Sequence, residues 1–190
     1  RWLVAAAVFA VPVGTADAAV VVAEGARSQP ARVVNGWLRR LALPLPRGTI
    51  TVSFAPCPGI LWVDGCSAPG AIWLRPSFAD RAVLLHELGH QFDYGQPPWA
   101  RAAFEALGHD PRPWDAAPNG PDEQFAEAWM GCAAPAIAAD RFDSATGRDE
   151  FAYGYRPTPR ELRRACTLIR RAGRAGARPV APSAPPLPST

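Results

Sequence analysis

Val83-Leu84-Leu85-His86-Glu87-Leu88-Gly89-His90-Gln91-Phe92-Asp93 is the run that decides how the rest of the chain is read. On a helix, residues four apart share a face, so His86 and His90 can aim imidazole nitrogens at one metal ion. Glu87 follows the first histidine, where its carboxylate reaches a water on that ion and not the ion itself. Zinc suits such a site because it takes imidazole and carboxylate ligands tetrahedrally and keeps a position open for water. By itself the five-residue pattern is only moderately specific, arising by chance in on the order of one chain in a few hundred. Its frame adds weight: Val83, Leu84, Leu88 and Phe92 give the helix an apolar face to bury. The plain alternative is a surface helix with two titrating histidines, yet the chain has 3 histidines and two of them are here.

Composition bounds the rest. At 190 residues and 48% hydrophobic, the chain is long enough for one domain with a proper core. Its net charge of +3 is too small to imply nucleic acid, and every basic residue is Arg. Residues 1–18 read as a secretory signal peptide: Arg1, an apolar run from Trp2 to Val13, then Ala16-Asp17-Ala18 as a small-x-small cleavage site before Ala19. That run is too short for an ordinary membrane span, so no stable insertion is expected after cleavage. A domain over residues 19–172 and a disordered Pro/Ala/Arg-rich tail over 173–190 complete the expected division. The protein is expected to be a secreted, extracellular monomer.

Along the domain, Val20 to Ala23 reads as a short strand. Pro30 to Leu43 reads as an amphipathic helix with Val33, Val34, Trp37, Leu38 and Leu41 inward. Thr49 to Phe54 alternates with period two, as a half-buried strand does. Ile60 to Val63 and Ala71 to Leu74 are two further candidate strands, punctuated by Asp64-Gly65 and Pro69-Gly70. Ser77 with Asp80 three residues on suggests a capping box for the motif helix, which should end near Gly95. Helices are predicted at Trp99 to Leu107, at Glu123 to Ala133 behind Pro121, and at Thr158 to Arg171. Cys57, Cys66, Cys132 and Cys166 imply disulfides in an exported chain, with three possible connectivities. Cys57–Cys66 and Cys132–Cys166 are favoured, since each staples a local unit; no Cys-x-x-Cys spacing points to a cysteine zinc site. The Arg-rich stretch from Arg156 to Arg174 is either a solvated helix face whose stems cover core or a surface for an anionic polymer.

Two histidines need a third protein ligand to make a catalytic zinc site. A third His six residues beyond the second would fall at Gln96, with a Gly required at Asp93, so that extended pattern is excluded. Glu123-Gln124-Phe125-Ala126-Glu127 offers two carboxylates four apart on one helix face. A helix crossing the motif helix can bring Glu123 to the metal and leave Glu127 to accept the outer N–H of a ligand histidine. Two alternatives stand beside this one: the reverse assignment of the two glutamates, and His109 from a Pro-rich loop.

His86-Glu87-Leu88-Gly89-His90-Gln91-Phe92-Asp93-Tyr94, taken with Glu123-Gln124-Phe125-Ala126-Glu127-Ala128-Trp129, resembles the gluzincin metallopeptidases, of which the catalytic domain of anthrax lethal factor has a similar second helix. The likeness covers roughly residues 80–133. It implies a zincin-like α+β fold: a small, mainly antiparallel N-terminal sheet packed on the motif helix, then a mostly helical C-terminal half. It also implies one Zn²⁺ held by His86, His90 and Glu123, Glu87 as general base and Glu127 behind a ligand. By the same likeness, Ala71 to Leu74 is an edge strand on which a polypeptide substrate docks. One departure stands out. Lethal factor has a tyrosine seven residues before its ligand Glu that helps stabilise the transition state; that position is Ala116 here, which leaves Tyr94, Tyr153, Tyr155 or His109 to supply that donor. The activity implied is a zinc endopeptidase. A zinc-holding binding domain without activity, or a zinc hydrolase of a cell-wall amide, are the other classes compatible with the sequence.

Overall fold

The computed structural model describes residues 19–22, 28–60, 63–108, 112–116, 120–137 and 153–175. The expected signal peptide (1–18), His109 and the tail from 176 onward lie outside the described residues. The fold is α+β. Its strands are β1 (Ala19–Val22), β2 (Thr49–Ser53), β3 (Gly65–Ala68) and β4 (Ala71–Leu74), in the spatial order β1-β2-β4-β3. Its helices are α1 (Ser28–Trp37), α2 (Arg81–Gly95), α3 (Pro98–Gly108), α4 (Pro121–Ala133) and α5 (Pro159–Arg174).

The sheet is mixed, not mainly antiparallel. β1 pairs parallel with β2, and β2 parallel with β4, with Val52 opposite Ile72; only β3 and β4 run antiparallel. Connection length decides which is which. The β1–β2 link carries α1, as a parallel pair requires, whereas β3 and β4 are joined by Pro69-Gly70, with Gly70 at φ 79°. A second correction concerns the expected strand Ile60–Val63. Ile60 makes an isolated bridge to Cys57, Leu61 and Trp62 lie outside the described residues, and the strand begins at Gly65, within the Asp64-Gly65 pair read as a turn. The third follows from topology: β4 lies between β2 and β3, so the edge strand beside the motif helix is β3.

α2 is the centre of the molecule. It packs against β3 and β4 on one side and α4 on the other, and ten of its fifteen residues are buried, polar ones among them. Its N-cap is Asp80, whose Oδ1 accepts from the Val83 N–H at 2.8 Å; Ser77 plays no part. Arg81 in its first turn donates to the Trp37 carbonyl at 2.9 Å, taking an orphan C-terminal group of α1, which ends six residues before the predicted Leu43. Ile50, Val52, Ile72 and Leu74 turn fully inward from the sheet and join Leu84, Leu85 and Leu88 in the core. Each such side chain stabilises the fold by roughly 1.5–3 kcal/mol. On the far side, Phe92 stacks on Phe125, and Phe104 meets Phe125 edge to face at 5.1 Å between ring centres.

Both favoured disulfides are present. Cys57–Cys66 ties the bend after β2 to β3, and Cys132–Cys166 ties α4 to α5. A Thr158/Glu161 capping box opens α5, which continues through Arg174. Among the described residues, no helix is long and apolar enough to cross a membrane.

Candidate metal centre

Two glycines let backbone approach the motif closely. A Cβ on Gly89 would lie 2.6 Å from the Cα of Ala126 and 2.9 Å from its carbonyl oxygen, so α2 and α4 cross there with almost no side chain between them. A Cβ on Gly65 would meet Val83 at 2.6 Å and the Glu87 carboxylate at 3.0 Å, so β3 runs directly against the acid of the motif. Gln91, fully buried, fixes the opposite contact: its Oε1 accepts from the Gly70 N–H at 2.8 Å, and its Nε2 donates to the Ala68 and Ala71 carbonyls.

This packing brings His86, His90 and Glu123 together. The His86 Nε2 lies 3.0 Å from the Glu123 Oε2 and 3.2 Å from the His90 Nε2, and the third side of the triangle is 3.4 Å. Tetrahedral nitrogen and oxygen donors about 2.0–2.1 Å from a zinc ion stand about 3.3–3.4 Å apart, close to these edges. Behind the triangle, the His86 Nδ1 is 2.9 Å from the Glu127 Oε1, and Glu127 is wholly buried. A carboxylate only accepts, so Nδ1 donates to Glu127, and without a cation Nε2 donates to Glu123; with a cation bound, Nε2 would give up that proton and present its lone pair. The three ligand atoms of His86, His90 and Glu123 lie close enough together to hold one metal ion.

The electrostatics without a cation express the same convergence. Burial disfavours charge on His86, but hydrogen bonds to Glu123 and Glu127 and the nearby Glu87 outweigh it and push its pKa up to about 10. Burial also works against charge on Glu123, yet His86 and His90 hold its carboxyl well below the usual range. Glu87 goes the other way: burial raises its pKa, Glu123 adds to the rise, and His86 and His90 oppose it.

The tyrosines expected as donors separate by position. Tyr153 stacks on His86 at 5.0 Å between ring centres, its backbone in the left-handed region (φ 48°) with Gly154 following at φ 72°. Tyr94 lies one turn beyond His90, but its hydroxyl donates to the Ser67 carbonyl on β3 at 3.1 Å. Tyr155 is buried against Phe104, and burial raises its pKa. Sequence reasoning missed the parts played by Gly65, Gln91 and Asp93. Asp93 is buried and accepts from Gln96, from Arg101 at 3.0 and 3.1 Å, and from the Trp114 indole at 3.1 Å. Trp114 in turn offers its carbonyl to the Asp122 N–H in the first turn of α4, so the end of α2 braces the start of the helix that presents Glu123. No protein-family model matches the chain, and neither does any curated protein or solved structure.

Proposed function

We propose that this chain is a secreted, zinc-dependent endopeptidase of gluzincin type. The observation that carries the proposal is the triangle of His86, His90 and Glu123 donor atoms, with Glu127 on the outer nitrogen of His86. The donor set is two imidazoles and a carboxylate, which zinc takes while keeping a position open. When bound there, zinc would supply Lewis-acid activation of a water and of a peptide carbonyl. Glu87 is the general base: buried beside the triangle, with a raised pKa, it takes the proton of the attacking water and returns it to the leaving amine. Glu127 keeps His86 in one tautomer and orientation. Tyr153, whose ring stacks on a donor histidine, takes the part of the tyrosine missing at Ala116 as hydrogen-bond donor to the developing oxyanion. An extended polypeptide docks along β3, the edge strand that also abuts Glu87. The two disulfides fit the oxidising setting of an exported protein.

The test has two parts. Purified wild type should carry one zinc per chain, and Glu123→Ala little or none; a folded wild type without zinc sinks the reading. On a broad peptide library, Glu87→Gln should keep the zinc and lose hydrolysis, and Tyr153→Phe should lower turnover by about 10²-fold. Zinc without peptide hydrolysis in the wild type would make the domain a binding module, and release of product from peptidoglycan alone would make it a cell-wall amidase.

A further inference from the structure

α5 carries six arginines, Arg160, Arg163, Arg164, Arg170, Arg171 and Arg174, against one acid, Glu161. The helix therefore bears +5 in a chain whose net charge is +3, which leaves −2 on the other 174 residues. At 3.6 residues per turn, the six fall within an arc of about 120° along about 21 Å of helix, and Glu161 lies outside it. All six are exposed, while Ala165, Ile169 and Ala172 on the opposite side are buried in the core. The face is fixed in place. Cys132–Cys166 holds α5 to α4, and Arg171 lies over the Trp99 ring of α3 at 5.2 Å. Among the described residues, no carboxylate forms an ion pair with any of the six.

We infer that this arginine face docks a linear phosphate polyanion lying along α5. Three features select that partner. The only uncharged member of the arc is Thr167, so it has no apolar group to form the centre of a protein–protein interface or to enter a bilayer. It is rod-shaped, which suits a chain of charges laid along it. Its cations are guanidinium, as are all those of the chain, and six of them aligned can each grip phosphate through two parallel N–H donors where an ammonium makes a point contact. The inference does not depend on the zinc site, since α5 contributes none of its donors.

The test uses the full, disulfide-intact chain and fluorescently end-labelled inorganic polyphosphate, followed by anisotropy as salt is raised. Wild type should bind with an affinity that falls steeply with salt. Replacing Arg160, Arg163 and Arg164 together by Gln should weaken binding at least tenfold. It should also lower the salt slope by about 2, as expected for three lost phosphate contacts. The control, Arg32→Gln with Arg39→Gln and Arg47→Gln, removes the same charge from exposed positions elsewhere and should change affinity less than twofold. Equal losses in the two triples would overturn the inference, because net charge and not the face would then be responsible. So would binding to phosphatidylglycerol vesicles without binding to polyphosphate, which would make the partner a membrane. Zinc content measured on the same samples should be the same in all three proteins, which separates failure here from failure of the metal site.

Discussion

At the scale of single residues, the site turns on where protons sit. His86 in the cation-free protein has its pKa raised from 6.5 to about 10, so between those values the folded chain holds a proton that the unfolded chain has lost. The stability this contributes is complete below pH 6.5 and disappears as pH rises through about 10. Chelator-treated protein should therefore melt at progressively lower temperature across that window. Zinc-loaded protein should not, because coordination uses the neutral ring and strengthens as protons leave. Melting curves from pH 6.5 to 10, with and without chelator, make the comparison; a chelated protein whose Tm climbs contradicts it. His86, Glu87, His90, Glu123 and Glu127 were all visible in the sequence, because a helix turns spacing of one or four residues into geometry. Tyr153 was one name among four. What sets it apart is its ring stacked on His86, a contact between residues far apart in the chain that nothing in local spacing encodes. Gly65 was read as part of a turn, since its role depends on how closely a strand passes a helix.

Among elements, the helices were legible and the sheet was not. The helical periodicities placed α2, α3, α4 and α5 within about three residues of their observed bounds, whereas α1 stops six residues short of the predicted Leu43. β3 has the sequence Gly-Cys-Ser-Ala, without the β-branched and aromatic residues that announce a strand, while the apolar run just before it drew the prediction. Parallel pairing escaped too, because direction follows from the path of the connection and leaves no mark on a short strand. The crossing of α2 and α4 is where the element scale meets the chemistry. Gly89→Ala would force the helices apart against backbone atoms, which do not give way as a flexible side chain does. The expected cost is about 1–3 kcal/mol of stability. Because the donors sit on both helices, zinc affinity should fall about 10–100-fold, as when a partner that positions a ligand is lost. Denaturant midpoints and a competitive zinc titration on the same variant measure both; unchanged affinity would show that the crossing does not set the site.

For the whole molecule, Cys132–Cys166 closes a loop of 34 residues between the helix that presents Glu123 and the arginine helix. In the chain-entropy account such a closure stabilises by about 3–4 kcal/mol. The Cys132→Ser, Cys166→Ser double variant should lose about that much in urea unfolding, and a loss below about 1 kcal/mol would mean that core packing alone holds α5 in place. The uneven spread of charge has a practical consequence. A molecule with +5 on one helix and −2 over the rest has a large permanent dipole and will not behave as its net charge suggests. Near its sequence pI of about 8.9 it should still bind a cation exchanger, with α5 toward the resin. Retention would then report which way the molecule faces a negatively charged surface, and would persist at a pH where an evenly charged protein of the same pI washes through.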